Sequence, residues 1–218
     1  MWIFLLPKLI KEQELDKLKI EYYKFKRNYN LFKSLINKSE PIETTLNGIE
    51  EIKFGKEDAL LQIVIVTNPL CGHCKEVHNL VEDVLEKRNE EVSITIRFNV
   101  SAKSDITDTK IASRLLEIYD LKGIDFCLES MHEIYGNTPP EFWFKKWGET
   151  IDLKYLEIIN KEKQWCHDNK INFTPEILVN GRSYPKEYSR RDLVFFIDDI
   201  VEEIKEGQTV QSEMELKV

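Results

Sequence analysis

Two cysteines separated by two residues are the clearest chemical signal in this 218-residue chain. Cys71 and Cys74 follow an apolar, β-branched run at 63–67 and precede a segment whose apolar residues recur every three or four positions. The sequence therefore predicts a strand, a short turn and a core-facing helix that begins at the cysteines. At a helix start, unpaired N–H groups and the helix dipole favour a thiolate.

The spacing predicts different roles for the two thiols. Cys71 is expected to be the attacking nucleophile. Cys74, one helical turn deeper, is expected to be the resolving thiol that displaces a substrate from a mixed disulfide. Gly72 lets another chain approach closely, and the ring of His73 is expected to stabilise the thiolate and therefore the reduced form. These features favour an oxidant or an isomerase over a reductase.

Two other interpretations of the cysteine pair are open at this point. Cys71 and Cys74 together with His73 or His78 offer ligands that zinc accepts, but the sequence has no second such pair to complete four ligands. The pair could also be a buried disulfide without redox function, although strand-to-helix junctions usually expose their residues. We predict a redox site with no metal and no cofactor.

Together with a second segment, the motif resembles the thioredoxin superfamily. The motif at 71–75 is similar to the superfamily's redox motif, and 172–181 is similar to the segment that carries its cis-proline. The 99 residues from 75 to 173 exceed a minimal thioredoxin but suit the DsbA-like branch, which has a helical insert there. The chain also resembles the thioredoxin-like domains of bacterial vitamin K epoxide reductase fusion proteins, which exchange electrons with a membrane partner.

The resemblance implies an α/β fold, in which helices flank a central mixed sheet and a helical subdomain is inserted. The predicted organisation is a long N-terminal amphipathic helix over 1–40, a thioredoxin-like domain over 41–206 with its insert at about 104–169, and a flexible tail over 207–218.

The resemblance also implies a substrate platform. It places Thr174 and a cis Pro175 beside the cysteines, where the Thr174 backbone is free to pair with an extended peptide and Pro175 offers no N–H. One position departs from the superfamily's pattern: Ile65 replaces the buried acid six residues before the first cysteine. This departure argues against a carboxylate that deprotonates Cys74.

Composition limits the class of protein. With 42% hydrophobic and 11% aromatic residues, the chain can bury a full core. A net charge of -8 argues against a nucleic-acid partner. Four cysteines fit an oxidising compartment or the cytosol. The resemblance favours a location outside the cytoplasm, on the periplasmic side and tethered to a membrane, with the cytoplasm as the alternative.

The N-terminal region contains two patterns. An apolar run at 2–6 ends at Pro7 and Lys8 and is too short to span a bilayer, so it is either a packed or disordered terminus or the end of a longer membrane segment. From residue 12, apolar residues alternate spacings of three and four and predict one helix to about Asn37. The stripe could dock on its own domain, pair with a second copy or form a stalk; its residues are Leu15, Leu18, Tyr22, Phe25, Tyr29, Phe32 and Ile36.

The remaining elements follow from periodicity and turn signals. Asn47-Gly48 predicts a hairpin with flanking strands, and 92–98 predicts a strand. The insert is expected to form helices at about 109–121, at 124–135, after Pro139-Pro140 and at about 152–169. A strand at 177–179, a turn at Asn180-Gly181 and a final helix capped by Ser189 and Asp192 close the chain, with fraying after about Glu206.

Two further cysteines lie on predicted apolar helix faces. Cys127 and Cys166 are interpreted as inert buried thiols, as a second disulfide or as an electron relay to the motif. The insert also carries an aromatic cluster that either fills its core or faces a peptide; its members are Phe142, Trp143, Phe144 and Trp147.

These patterns lead to one main functional hypothesis. We expect a thiol-disulfide oxidoreductase, an oxidase or isomerase, that exchanges disulfides with cysteine-containing polypeptides through Cys71 and Cys74. The resemblance implies re-oxidation by a quinone-coupled membrane partner. The alternatives are a cytosolic thioredoxin-like reductase and a non-catalytic peptide-binding or assembly module of a secretion system, in which the cysteines form a structural clip. The oligomeric state is left open.

Overall fold

The structure is a computed structural model that describes residues 2–101, 103–150 and 152–215, with side chains from residue 11 to residue 209 of these ranges. Its centre is a mixed five-stranded sheet in the order β1-β3-β2-β4-β5. Strands β2 and β3 are parallel, and the other neighbours are antiparallel. The strands are β1 Ile52–Gly55, β2 Leu61–Thr67, β3 Val92–Phe98, β4 Glu176–Val179 and β5 Arg182–Ser183.

Helices surround this sheet, and four of them (α4 to α7) form the predicted insert between β3 and β4. The helices are α1 Trp2–Lys26, α2 Tyr29–Ile36, α3 Cys74–Arg88, α4 Thr107–Lys122, α5 Ile124–Tyr135, α6 Pro140–Trp147, α7 Leu153–Asp168 and α8 Ile197–Glu215, with a 3₁₀ helix at Arg190–Phe195 before α8. The expected α/β fold with a helical insert is confirmed.

The apolar β2 strand is buried on both faces of the sheet, as its uninterrupted hydrophobic run predicts. Side chains alternate along a strand, so Ile63 and Ile65 enter a large core that includes residues of α3, α4 and α5. Val64 and Val66 enter a smaller cluster on the other face. The strand that leads to Cys71 is therefore fixed from both sides.

The two cysteines outside the motif lie in different clusters. Cys127 belongs to the large core and Cys166 to the smaller cluster, so the sheet separates them. Burial raises the pKa of each thiol to about 12. A disulfide between them would require the fold to rearrange, and the structure favours the interpretation as inert buried thiols.

The aromatic cluster of the insert is mostly core. Trp143 and Trp147 are buried, and the indole N–H of Trp143 donates to the carbonyl oxygen of Ser130 at 2.8 Å. Phe144 is partly buried against the same core, whereas Phe142 is exposed.

The predicted hairpin at Asn47-Gly48 is wrong. The chain turns there, but the described segment 37–51 contains no strand. The backbone of this segment bonds to the turn after β4, since the N–H of Ile42 donates to the carbonyl oxygen of Gly181 at 2.9 Å. Of the two predicted flanking strands, only the second is present, as strand β1 from Ile52. It pairs with β3 rather than across the turn, so long-range pairing prevails over the local turn signal.

The prediction of a single N-terminal helix is also wrong, because the helix is interrupted between α1 and α2. Asn28 caps α2 by accepting from the N–H of Leu31 at 3.1 Å. Phe32 of α2 is buried and stacks on Phe196, with ring centroids 4.1 Å apart. The apolar side chains of α1 from Leu15 to Phe25 are instead at least half exposed, so only the α2 part of the stripe docks on the domain.

The apolar run at 2–6 belongs to α1, but its side chains lie outside the described part. None of the helices within the described residues is long and apolar enough to cross a membrane. At the other end of the chain, the predicted capping box of Ser189 and Asp192 is present, but it starts the 3₁₀ helix Arg190–Phe195 rather than the final helix α8. Helix α8 continues to Glu215, beyond the point near Glu206 where fraying was expected. Residues 216–218 of the predicted tail lie outside the description.

Candidate functional site

The redox motif occupies the turn between β2 and α3. The backbone N–H of Cys71 donates to the carbonyl oxygen of Asn68 at 3.0 Å, and that of Cys74 donates to the carbonyl oxygen of Cys71 at 2.9 Å. Helix α3 begins at Cys74, so Cys71 lies in the turn before the helix rather than in its first position. The helix therefore begins three residues later than the sequence predicted.

The four motif residues differ in exposure. Cys71 is half-buried, whereas Cys74 is 1% exposed. Gly72 and His73 are exposed, and a Cβ atom added at Gly72 would have no neighbour within 4 Å. The fold itself therefore leaves open space at Gly72, beside the more accessible thiol.

Several hydrogen bonds act on the Cys71 thiol. Partial burial by itself would raise its pKa, but a side-chain hydrogen bond with Thr174, one with Cys74 and the backbone N–H groups of His73 and Cys74 outweigh that effect, so the pKa is lowered. The contribution of His73 in this set is its backbone N–H, not the ring that the sequence suggested.

Cys74 has the opposite environment. Burial raises the pKa of its thiol to about 11, although hydrogen bonds from Thr67 and Asn68 act against this rise. None of the groups with the largest effects is a carboxylate, and Ile65, at the position of the superfamily's acid, is buried in the core. The two thiols therefore differ in the way that attacking and resolving thiols must.

A pair of hydroxyl groups borders the buried thiol. Oγ1 of Thr67 lies 3.0 Å from the hydroxyl oxygen of Tyr135, and Tyr135 is buried at the end of α5. Neither residue is predicted as a site residue from the sequence. Thr67 ends the predicted strand and could have been considered, but no pattern in the sequence places Tyr135 of the insert beside Cys74.

The predicted platform lies at the site. The Thr174-Pro175 bond is cis. The thiol of Cys71 donates to the carbonyl oxygen of Thr174 at 3.4 Å, across 103 positions of sequence. The fold therefore brings together the two segments that the sequence analysis singled out.

Apolar side chains and clefts flank this centre. Leu70, which precedes Cys71, and Phe173, which precedes Thr174, are each about half exposed. One cleft extends from Pro175 toward the 3₁₀ helix, and its lining includes Glu76, Phe173, Tyr188 and Arg190. Another lies between the motif and the insert, with Leu70, Lys75, Tyr135 and Pro139 in its lining. Apolar surface is therefore exposed near the Cys71 sulfur.

The contrast between the thiols gives a direct prediction for the reduced protein. Because its pKa is lowered, Cys71 is expected to react with iodoacetamide at pH values below the ordinary thiol pKa and to lose reactivity only as the pH falls through its own pKa. Cys74, with a pKa of about 11, is expected to remain unlabelled at neutral pH. Peptide mass spectrometry over a pH series measures both rates, and equal labelling of the two thiols would contradict the assignment.

Comparisons with known proteins identify the fold. No protein-family model matches the sequence, and no curated protein matches it. A periplasmic thioredoxin-like protein from Salmonella enterica serovar Typhimurium is similar in structure, with a TM-score of 0.61 and 17% identity over 74% of this chain and 99% of that chain. ScsC from Proteus mirabilis, in a transitional conformation, has a TM-score of 0.61 and 15% identity over 90% of this chain and 93% of that chain.

The thiol-disulfide exchange protein alpha-DsbA2 from Wolbachia pipientis is a third similar structure, with a TM-score of 0.57 and 16% identity over 79% of this chain and 97% of that chain. At these identities the comparisons define the fold. The chain has the DsbA-like thioredoxin fold that its sequence predicted, with the helical insert. The likeness to vitamin K epoxide reductase fusion proteins stays a prediction.

Proposed function

We propose that this protein is a thiol-disulfide oxidoreductase, an oxidase or isomerase of cysteine-containing polypeptides, with Cys71 as the attacking and Cys74 as the resolving thiol. One observation carries the proposal: a half-buried thiol of lowered pKa precedes a buried thiol of raised pKa by three residues. A structural clip would have no need of this difference between its two sulfurs.

In the oxidising direction, the protein begins with a disulfide between Cys71 and Cys74. A substrate thiolate attacks Sγ of Cys71, the bond between the two cysteines breaks, and Cys74 leaves with the electron pair. A second substrate thiolate then attacks the substrate sulfur of the mixed disulfide and releases Cys71 as a thiolate. The substrate gains a disulfide, and the protein gains two electrons. As an isomerase, the Cys71 thiolate of the reduced protein attacks a substrate disulfide, which breaks and releases one substrate thiolate. Another substrate thiolate then attacks the substrate sulfur of the mixed disulfide, so that a different substrate disulfide forms, Cys71 leaves as a thiolate and no net oxidation occurs.

The neighbouring residues have supporting roles in this proposal. Cys71 is a good leaving group because its thiolate is stabilised. The Thr67 hydroxyl, which contacts the Tyr135 hydroxyl, is hydrogen-bonded to Cys74 and can stabilise the Cys74 thiolate. Thr174 and Pro175 form the platform for an extended substrate, and Gly72 leaves it room. His73 contributes its backbone N–H and an exposed ring beside the substrate path.

We also propose a location outside the cytoplasm and two kinds of partner, a polypeptide substrate and a redox protein. Cysteine-containing polypeptides are the substrates, and a redox partner, which we expect to be a quinone-coupled membrane protein, restores the disulfide. A location outside the cytoplasm is supported by the likeness to the Salmonella protein whose name calls it periplasmic.

An oxidative refolding assay tests this function. The oxidised protein is mixed with reduced, unfolded ribonuclease A, and the appearance of ribonuclease activity and the loss of free thiols are followed. We expect oxidation of two substrate thiols for each protein disulfide consumed. This oxidation should be faster than that of ribonuclease in buffer without the protein. With a scrambled, fully oxidised ribonuclease, the reduced protein reports isomerase activity. A protein that leaves both substrates unchanged would be a binding or assembly module.

A further inference from the structure

A second group of potential ligand side chains lies away from the motif cysteines, between α3 and α5. It consists of His78, Glu82 and His132, and their ligand atoms all lie within 4.8 Å of one another. His78 and Glu82 are four residues apart and therefore share one face of α3, and His132 approaches from α5. Oε1 of Glu82 is 3.2 Å from Nε2 of His78 and 2.7 Å from Nδ1 of His132.

His78 is the unusual member of this group. It is 4% exposed, and within the described residues neither of its ring nitrogens has a hydrogen-bond partner of acceptable geometry. Glu82 lies 3.2 Å from Nε2, but the buried imidazole lacks the well-oriented hydrogen bonds that would replace the water its polar atoms have lost.

We propose that His78, Glu82 and His132 bind one zinc ion. Two imidazole nitrogens and one carboxylate oxygen are a ligand set that zinc accepts, with water in the fourth position. Magnesium and calcium prefer oxygen ligands and fit this set poorly. Tetrahedral zinc with bonds of about 2.0–2.1 Å separates its ligand atoms by about 3.3 Å, so the three side chains need only small shifts. The chain's net charge of -8 also favours a cation.

The proposed ion joins the redox helix to the insert. The ring of His78 stacks on Tyr135, with centroids 5.2 Å apart, and Tyr135 contacts Thr67 beside Cys74. The sequence suggests zinc ligands only around the motif cysteines, because the third ligand here comes from another helix, 50 residues after Glu82. This inference is independent of the proposed redox function.

The test is a zinc titration of the Cys71→Ser/Cys74→Ser double variant of the full chain, which removes the reactive thiols as competing ligands. We expect one zinc ion per chain by equilibrium dialysis, a higher melting temperature with zinc, and tetrahedral visible absorption bands when cobalt replaces zinc. In the same background, His132→Ala and Glu82→Gln are expected to lower the zinc affinity by at least about 100-fold.

The exposed His167 provides a matched control, since it lies on α7 outside the group. His167→Ala should leave zinc affinity unchanged. His132 and Glu82 are themselves partly exposed, so both test variants are expected to fold, and circular dichroism checks this. The proposal is overturned if the double variant shows no saturable zinc binding in the micromolar range, or if His132→Ala and Glu82→Gln bind zinc as the parent does. Equal losses in His132→Ala and His167→Ala would also overturn it.

Discussion

Replacement of Cys71 by serine is expected to reduce catalysed disulfide exchange to the uncatalysed background, a loss of at least about a thousandfold, because a serine hydroxyl neither forms a disulfide nor ionises near neutral pH. Thiol nucleophilicity requires the thiolate, and Cys71 is the motif thiol whose pKa the fold lowers. The rates of ribonuclease oxidation by the wild type and by Cys71→Ser measure this loss.

Cys166→Ala is the matched control for the loss of one cysteine. Its thiol is buried in the cluster on the other face of the sheet, where burial raises its pKa to about 12. Exchange activity should persist in this variant. Substantial activity in Cys71→Ser, or a comparable loss in Cys166→Ala, would show that Cys71 is not the nucleophile.

Replacement of Arg97 by methionine is expected to lower the free energy of unfolding by about 3–5 kcal/mol, because it leaves the Glu51 carboxylate buried without its partner. Arg97 is fully buried, and its Nε and Nη2 donate to the two oxygens of Glu51 at 2.6 and 2.8 Å. Nη2 also donates to the carbonyl oxygen of Thr44, and the guanidinium stacks over Trp165 at 4.0 Å. Urea denaturation followed by tryptophan fluorescence measures the change.

The chain offers a control with the same geometry at the surface. Arg88 makes a bidentate ion pair with Asp198, in which its Nε and Nη2 donate to the two carboxylate oxygens at 2.7 and 2.8 Å. This pair is in contact with solvent. Arg88→Met should change the stability little, because exposed pairs contribute little against hydration and screening. Similar urea midpoints for Arg97→Met and the wild type would contradict the structural role of the buried pair.

Local sequence patterns predicted the elements around the site well. The β2 run, the periodicity after Cys74 and the alternation over 92–98 correspond to observed elements, and helix α5 has the predicted bounds of 124–135. Each of these segments has strong periodicity of one kind and a clear stop signal, so local and tertiary preferences agree. The proximity of the motif to Thr174 came from the resemblance rather than from any local pattern.

The failures occurred where distant contacts decide the structure. Asn28 interrupts a continuous apolar stripe because its side chain caps a new helix, and packing of Phe32 on Phe196 then fixes α2. A heptad pattern cannot reveal such a break. Likewise, Arg97 looks like a solvent-facing residue in the alternation of β3, yet it is buried against Glu51 and Trp165 from other elements.

The same reason explains the site residues that were missed. Tyr135 and His132 reach the neighbourhood of α3 only because the insert folds back over it, so their sequence positions carry no sign of this contact. The motif could be found from the sequence, but the approach of Tyr135 to Thr67 and of His132 to Glu82 could not.

Trapping of a mixed disulfide tests the central claim most directly. In Cys74→Ser, the resolving thiol is absent, so a complex between Cys71 and a substrate cysteine should accumulate. The variant is mixed with a peptide that carries one activated disulfide, and the product is digested without reduction and mapped by mass spectrometry. We predict one peptide adduct per chain, located on Cys71 and released by dithiothreitol. An adduct on Cys127 or Cys166 would contradict the assigned roles. So would the absence of an adduct in Cys74→Ser if the Cys71→Ser variant, which retains Cys74, traps the peptide.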